Sequence, residues 1–105
     1  MEQPNSNYIN DLSGDNQEFK ARLIKILKKE LPEEIELYFL QMKNKDLLSA
    51  AQAVHKLKHK ISILGLEKSY YIAEEYENNL NGSIIVLQVE FEAILRIMQK
   101  FVDYL

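Results

Sequence analysis

The chain has 105 residues, of which 47% are hydrophobic and none is cysteine, and its formal net charge is −3 at pH 7. This length suits one domain, and the lack of cysteine excludes a disulfide framework, a thiolate metal site and a thiol nucleophile. The acidic balance argues against nucleic acid as the main partner, and no apolar run reaches the ~18 residues that a membrane span needs.

The first residues, MEQPNSNY, are polar and lack the apolar core of a secretory signal. We expect a cytoplasmic location. Residues 1–7 should form a flexible segment, and residues 8–12 a short helix or arm. Asp15 followed by Glu18 is typical of a capping box and predicts the start of the first long helix. Pro32 lacks an amide proton and clashes with the preceding turn, so this helix should kink or restart there. Its apolar positions are Phe19, Leu23, Ile26, Ile35, Tyr38, Phe39 and Met42.

Three further helices follow from apolar residues spaced three and four apart, which is the helical period. The stripe of residues 46–64 comprises Leu47, Ala50, Val54, Leu57, Ile61 and Leu64. The next stripe comprises Leu66, Tyr70, Ala73, Tyr76 and Leu80, and it ends at the turn signal Asn81-Gly82. Residues 84–105 begin with branched residues, but the helical spacing continues and Ser83 can cap the start. That stripe comprises Ile84, Leu87, Phe91, Ile94, Met98, Phe101 and Leu105.

Short connections near Asn44, Gly65 and Gly82 favour antiparallel neighbours. The sequence therefore predicts an all-α domain over residues 1–105. We expect an up-and-down antiparallel four-helix bundle with a short N-terminal helix or arm.

The segment AVHKLKHKISILGLEK, residues 53–68, carries both histidines and four lysines. On a helical wheel at ~100° per residue, His55 lies roughly 130° from the apolar stripe and His59 lies nearly opposite it. His55 should therefore project from the helix surface. The residues placed around it, within two turns, are Leu48, Ala51, Gln52, Lys58, His59 and Ser62.

This setting suits phosphorylation of an imidazole. The neutral ring has a lone pair that can attack phosphorus, and the unperturbed pKa of histidine is ~6.5. Nearby lysines disfavour the imidazolium and can pair with phosphoryl oxygens once the group is attached. The basic segment also offers a landing site for an acidic partner surface.

The run VHKLKHKISILGLEKSYYIAEEYE, residues 54–77, resembles the signature of histidine-containing phosphotransfer domains of two-component phosphorelays. His55, Leu57, Lys58 and Gly65 fall in register with His-x-Leu-Lys and its later glycine. Tyr76-Glu77 stands where Leu-Glu is expected. LSGDNQEF, residues 12–19, resembles the family's opening, and KELPEE its proline-interrupted second segment.

The resemblance implies that His55 accepts a phosphoryl group and that Lys58 helps to hold its oxygens. Gly65 would let a neighbouring helix pack closely near the site. His59 stands where the family has a small residue, and it either crowds a docked partner or contributes a hydrogen bond to the phosphate. Ser69 stands where leucine is usual.

Such domains are carriers rather than enzymes and need no cofactor of their own. The resemblance places the Mg²⁺ and the phosphoacceptor aspartate on a partner. The implied partners are response-regulator receiver domains, a hybrid sensor histidine kinase, or both. The chain itself has no glycine-rich phosphate loop and no clustered aspartates for a metal.

Other interpretations compete with this one. His55 and His59 have the four-residue spacing of a metal pair, but they lack further ligands and the lysines repel a cation. Lys56 and Lys60 fit a solvated face. Glu74, Glu75 and Glu77 are expected to face solvent or to cap the helix, and Tyr38, Tyr70 and Tyr76 are expected to pack in or near the core.

The alternative function is a helical docking module that binds a receiver or kinase without phosphotransfer. No large apolar patch is apparent on the predicted solvent face, so we expect a monomer.

Overall fold

The computed structural model describes residues 2–105, and within them it has five helices and no strand. The helices are α1 (Asn7–Ser13), α2 (Gln17–Lys43), α3 (Leu47–Ile63), α4 (Glu67–Asn81) and α5 (Gln88–Asp103). The predicted all-α class is confirmed. No helix in this described part of the chain is long and apolar enough to span a membrane.

The four longer helices pack in a ring around one core. α3 contacts α2 and α4, and α5 contacts the same two helices, while α1 packs on α2. The stripe predicted on α3 faces inward, because burial of its apolar side chains removes them from water. Its fully buried members are Ala50, Val54, Leu57, Ile61 and Leu64.

The first long helix departs from its sequence signals at two points. It is capped by Asn16, whose side chain accepts a hydrogen bond from the Phe19 N–H at 2.9 Å, and not by Asp15. Asn16 caps the helix because its backbone has the extended conformation typical of an N-cap residue. The capping-box prediction placed the start of the helix one residue earlier. The helix then continues through Pro32 without restarting. One missing amide does not end a helix whose flanking residues Leu31 and Tyr38 are buried in the core.

The last helix begins later than the sequence predicts. α5 starts at Gln88 and not near Ile84, and Ser83 does not cap it. The Ser83 and Ile84 N–H groups donate to carbonyls of Leu80 and Asn79, so they complete the end of α4. Ser83 also has a positive φ of 62°. Three branched residues at 84–86 resist helix formation, and they remain exposed.

The N-terminal segment is anchored to the turn between α3 and α4. The Asn5 N–H donates to the Leu64 carbonyl at 2.9 Å. The Glu2 carboxylate accepts from the Lys68 and Ser69 N–H groups, each at 2.9 Å, and from the Ser69 hydroxyl at 3.0 Å. Ser69, which stands where the resemblance would put a leucine, therefore binds the Glu2 carboxylate with both its N–H and its hydroxyl. Of the residues expected to be flexible, 1–7, Met1 lies outside the described residues, and Glu2 and Asn5 make these contacts.

These hydrogen bonds change the acidity of Glu2. Its partial burial acts to raise the pKa, but the three donors from Lys68 and Ser69 favour the carboxylate and hold the pKa below its usual value. A carboxylate also suits this place because the first turn of a helix carries partial positive charge.

The tyrosines predicted to pack in the core include a buried hydrogen-bonded pair. The Tyr38 and Tyr76 hydroxyls lie 2.7 Å apart, and the Tyr38 hydroxyl donates to Glu92 Oε2 at 2.9 Å. Burial raises the pKa of both phenols, so both stay protonated as donors. Tyr70 is only partly buried. Together with Glu92, the pair links α2, α4 and α5.

Candidate functional site

His55 projects from the middle of α3 on its outer side. Its side chain is 56% exposed, while Val54 and Leu57 beside it are fully buried. The two buried neighbours fix the backbone at His55, while its imidazole remains accessible to a reacting partner.

Glu77 of α4 orients the His55 ring. Its carboxylate oxygens lie 3.2 and 3.3 Å from Nδ1 of His55. A carboxylate can only accept a hydrogen bond, so Nδ1 carries the proton and Nε2 carries the lone pair of the neutral ring. Nε2 then points away from Glu77. The geometry thus leaves one specific nitrogen available for chemistry.

Lys58 pairs with the other side of the same carboxylate. Its Nζ lies 2.9 Å from Glu77 Oε1, and the side chains of Lys58 and Glu77 are 10% and 18% exposed. Burial acts to lower the pKa of Lys58, but the hydrogen bond and charge of Glu77 outweigh it and raise the pKa. Nζ also lies 5.6 Å from the centre of the Tyr70 ring. Lys58 is therefore a fully charged group held on the inner side of the site.

His59 lies on the outer side. Its ring centre is 5.5 Å from that of His55, and the two rings meet edge to face at 88°. Like His55, it is exposed. Two exposed imidazoles one helical turn apart therefore share this surface of α3.

A surface depression of about 270 Å³ adjoins His55. It is lined by Ala51, Gln52, His55, Lys56, Glu77 and Asn81. Of the residues predicted around His55, Ala51 and Gln52 are thus brought to it, and Leu48 lies exposed two turns before it. The small Ala51 leaves this side of the imidazole unobstructed.

Ser62 and Gly65 lie elsewhere. Both line a separate cavity of about 500 Å³ that is also lined by the N-terminal residues Asn5 and Tyr8. Gly65 is ten residues beyond His55, which is about 15 Å along a helix. Its φ is +73°, and a Cβ there would come within 2.6 Å of the Asn5 side chain. The glycine thus serves a left-handed turn and a close approach of Asn5, whereas a neighbouring helix was expected.

Two expectations about charged residues are corrected. Lys60 is buried and not on a solvated face, because its Nζ pairs with Glu30 and Glu34 of α2 at 3.0 Å each. Lys56 is exposed as expected. Glu77 was expected to face solvent or cap its helix, yet it joins His55 to Lys58. The sequence signal that could have singled out Glu77 from the neighbouring glutamates was its place in the signature that residues 54–77 resemble.

No group of three or more histidine, aspartate and glutamate side chains within residues 2–105 is arranged to hold a metal ion. A scan against family models, a search of curated proteins and a search of solved structures gave no significant match.

Proposed function

We propose that this protein is a histidine phosphotransfer domain in which His55 accepts a phosphoryl group from a receiver-domain aspartate and passes it to another. The observation that carries the proposal is the exposed His55 ring whose Nδ1 is held by Glu77, itself paired with Lys58. In the same proposal, α2 to α5 form an up-and-down antiparallel bundle, which the short connections between them favour.

The transfer step uses the free Nε2 of His55. Its lone pair attacks phosphorus of the aspartyl phosphate, and the Nε2–P bond forms as the P–O bond breaks and the aspartate leaves as a carboxylate. The ring keeps its proton on Nδ1 and gains positive charge. Glu77 accepts that proton's hydrogen bond and stabilises the charge as it develops.

Lys58 limits the repulsion between Glu77 and the incoming phosphoryl group. Two negative groups would otherwise meet across one imidazole ring. With Nζ 2.9 Å from Glu77, the lysine charge offsets the carboxylate. In this proposal the ammonium also pairs with a phosphoryl oxygen once the group is attached. Mg²⁺ and the phosphoacceptor aspartate belong to the partner in this proposal, which makes the protein a carrier and not an enzyme.

Transfer from a panel of ³²P-labelled receiver domains with Mg²⁺ tests the proposal. Label should move to the wild-type protein, survive base, be lost in acid and be absent from His55→Gln. The exposed position predicts that His55→Gln keeps the helical circular dichroism and melting temperature of the wild type. His59→Gln serves as the matched histidine control and should still take up label.

The second candidate is a docking module that binds a receiver or kinase without taking up phosphate. In this alternative, the exposed Leu48, two turns from His55, is part of the surface that the partner covers. Receiver binding without label on the wild type would support this alternative. Label that persists on His55→Gln would refute the assignment of His55.

A further inference from the structure

His59 has no part in the transfer step described above, yet it is in ring contact with His55. The two ring centres are 5.5 Å apart. Side chains on a helix lean towards its N-terminus, so His59, one turn after His55, leans over it. The contact joins the edge of one ring to the face of the other, at 88°.

A phosphoryl group on Nε2 of His55 needs hydrogen-bond donors on its solvent side. Phosphorylation adds three acceptor oxygens with a charge of about −1.5 to −2. Lys58 is on the inner side, between Glu77 and the Tyr70 ring. It can therefore contact the phosphoryl group only from the inner side of the site. The outer oxygens face the solvent side of the helix, where His59 lies.

His59 has the right chemistry and reach for those oxygens. An imidazole always carries at least one N–H donor at neutral pH. Hydrogen bonds to charged oxygens span ~2.7–2.9 Å. The two rings already touch at a centre-to-centre distance of 5.5 Å, so a rotation of the exposed His59 side chain is enough to bring a ring N–H to an oxygen on Nε2, without moving the backbone of α3.

We propose that His59 is a phosphoryl-binding residue that donates a ring N–H to an oxygen of phospho-His55 and thereby prolongs the phosphorylated state. This inference rests on the proposed function of His55. It assigns to this chain a donor on the solvent side of the group, complementary to Lys58 on the inner side.

Phosphoramidate tests the inference without a partner protein. Nε2 of His55 attacks its phosphorus, the Nε2–P bond forms, and the P–N bond breaks as ammonia leaves with a proton from solvent. The lifetime of the product is then followed by ³¹P NMR in wild type, His59→Ala, His59→Gln and the exposed control Ser62→Ala. The ¹⁵N shifts of the His59 ring are recorded before and after phosphorylation.

We expect phospho-His55 to hydrolyse about five to ten times faster in His59→Ala, the effect of losing one charge-assisted hydrogen bond. His59→Gln keeps an N–H donor and should recover part of the lifetime, while Ser62→Ala should match wild type. The ¹⁵N chemical shift of one His59 ring nitrogen should change on phosphorylation, which a purely structural role of His59 would not produce.

Two failures are distinguishable. Phospho-His55 with the same lifetime in His59→Ala and no ¹⁵N shift at His59 would overturn this inference and leave the proposed function standing. No phosphorylation of His55, or label found on His59 in His55→Gln at the wild-type rate, would overturn both.

Discussion

Replacement of Glu77 by glutamine tests the link between the site's chemistry and the stability of the fold. Glutamine has the same shape and can still accept a hydrogen bond from Nδ1 of His55. It removes only the negative charge, so Lys58 loses its counter-ion 2.9 Å away. Both the unfolding free energy and the phosphorylation rate should therefore fall.

The magnitude follows from the distance and the burial. At 2.9 Å and an effective dielectric of ~20, the gross Coulomb attraction is about 6 kcal/mol. The desolvation of two side chains that are only 10% and 18% exposed opposes most of it. A net loss of about 2 kcal/mol remains, in the range measured for hydrogen bonds to charged groups. That loss corresponds to a drop in Tm of roughly 10 °C for a domain of this size.

The rate should fall by about tenfold or more, because the positive charge that develops on the His55 ring no longer faces a carboxylate. Urea unfolding and initial rates of phosphorylation by phosphoramidate measure the two effects. Glu75→Gln, an exposed neighbour on α4, is the matched control and should change neither. Wild-type stability together with a wild-type rate in Glu77→Gln would refute the reasoning.

Three further changes test the fold. Tyr38→Phe removes a buried hydroxyl that bridges two partners and should lower the unfolding free energy by about 1–2 kcal/mol in urea, whereas the exposed Tyr104→Phe should have no effect. Gly65→Ala should lower the unfolding free energy by about 1–2 kcal/mol, because an alanine at this positive φ is strained. Its Cβ would also clash with the Asn5 side chain, and Asn5→Ala should relieve that clash. Equal melting temperatures for Gly65→Ala with and without Asn5→Ala would contradict the clash. The two glutamates raise the pKa of Lys60 above its ordinary 10.5 although burial opposes them, so its ion pairs stabilise the protein below pH 10.5 and are lost as pH rises through the higher folded value. Urea titrations from neutral to alkaline pH should show a loss that is smaller in Lys60→Met.

Periodicity predicted the helices because their stability comes from burying one face. The α3 stripe is almost wholly buried, and His55, which the wheel placed off that stripe, is exposed. Helix ends were less predictable. The choice of Asn16 over Asp15 depends on one side-chain hydrogen bond to the Phe19 N–H. The start at Gln88 follows from the hydrogen bonds by which Ser83 and Ile84 complete the end of α4. Neither feature leaves a periodic trace in the sequence.

Helical spacing also predicted part of the site, namely the part that lies on α3. Neighbours on one helix follow from spacing, which gave Ala51, Lys58 and His59 around His55. Glu77 and Asn81 come from another helix. The contact of Glu77 with His55, and the place of Asn81 in the same depression, depend on how α4 is rotated against α3. Spacing within one helix holds no information about that rotation.

The anchoring of the N-terminal segment also bears on how the chain folds. The Glu2 contact with Ser69 joins residues 67 apart in sequence, and the closure of such a long loop is entropically unfavourable. The helices on which the segment docks must already be in place, so these contacts should form among the last during folding and open among the first. A ribosome would have to release the whole of α3 and the start of α4 before the first residues of the chain could find their place.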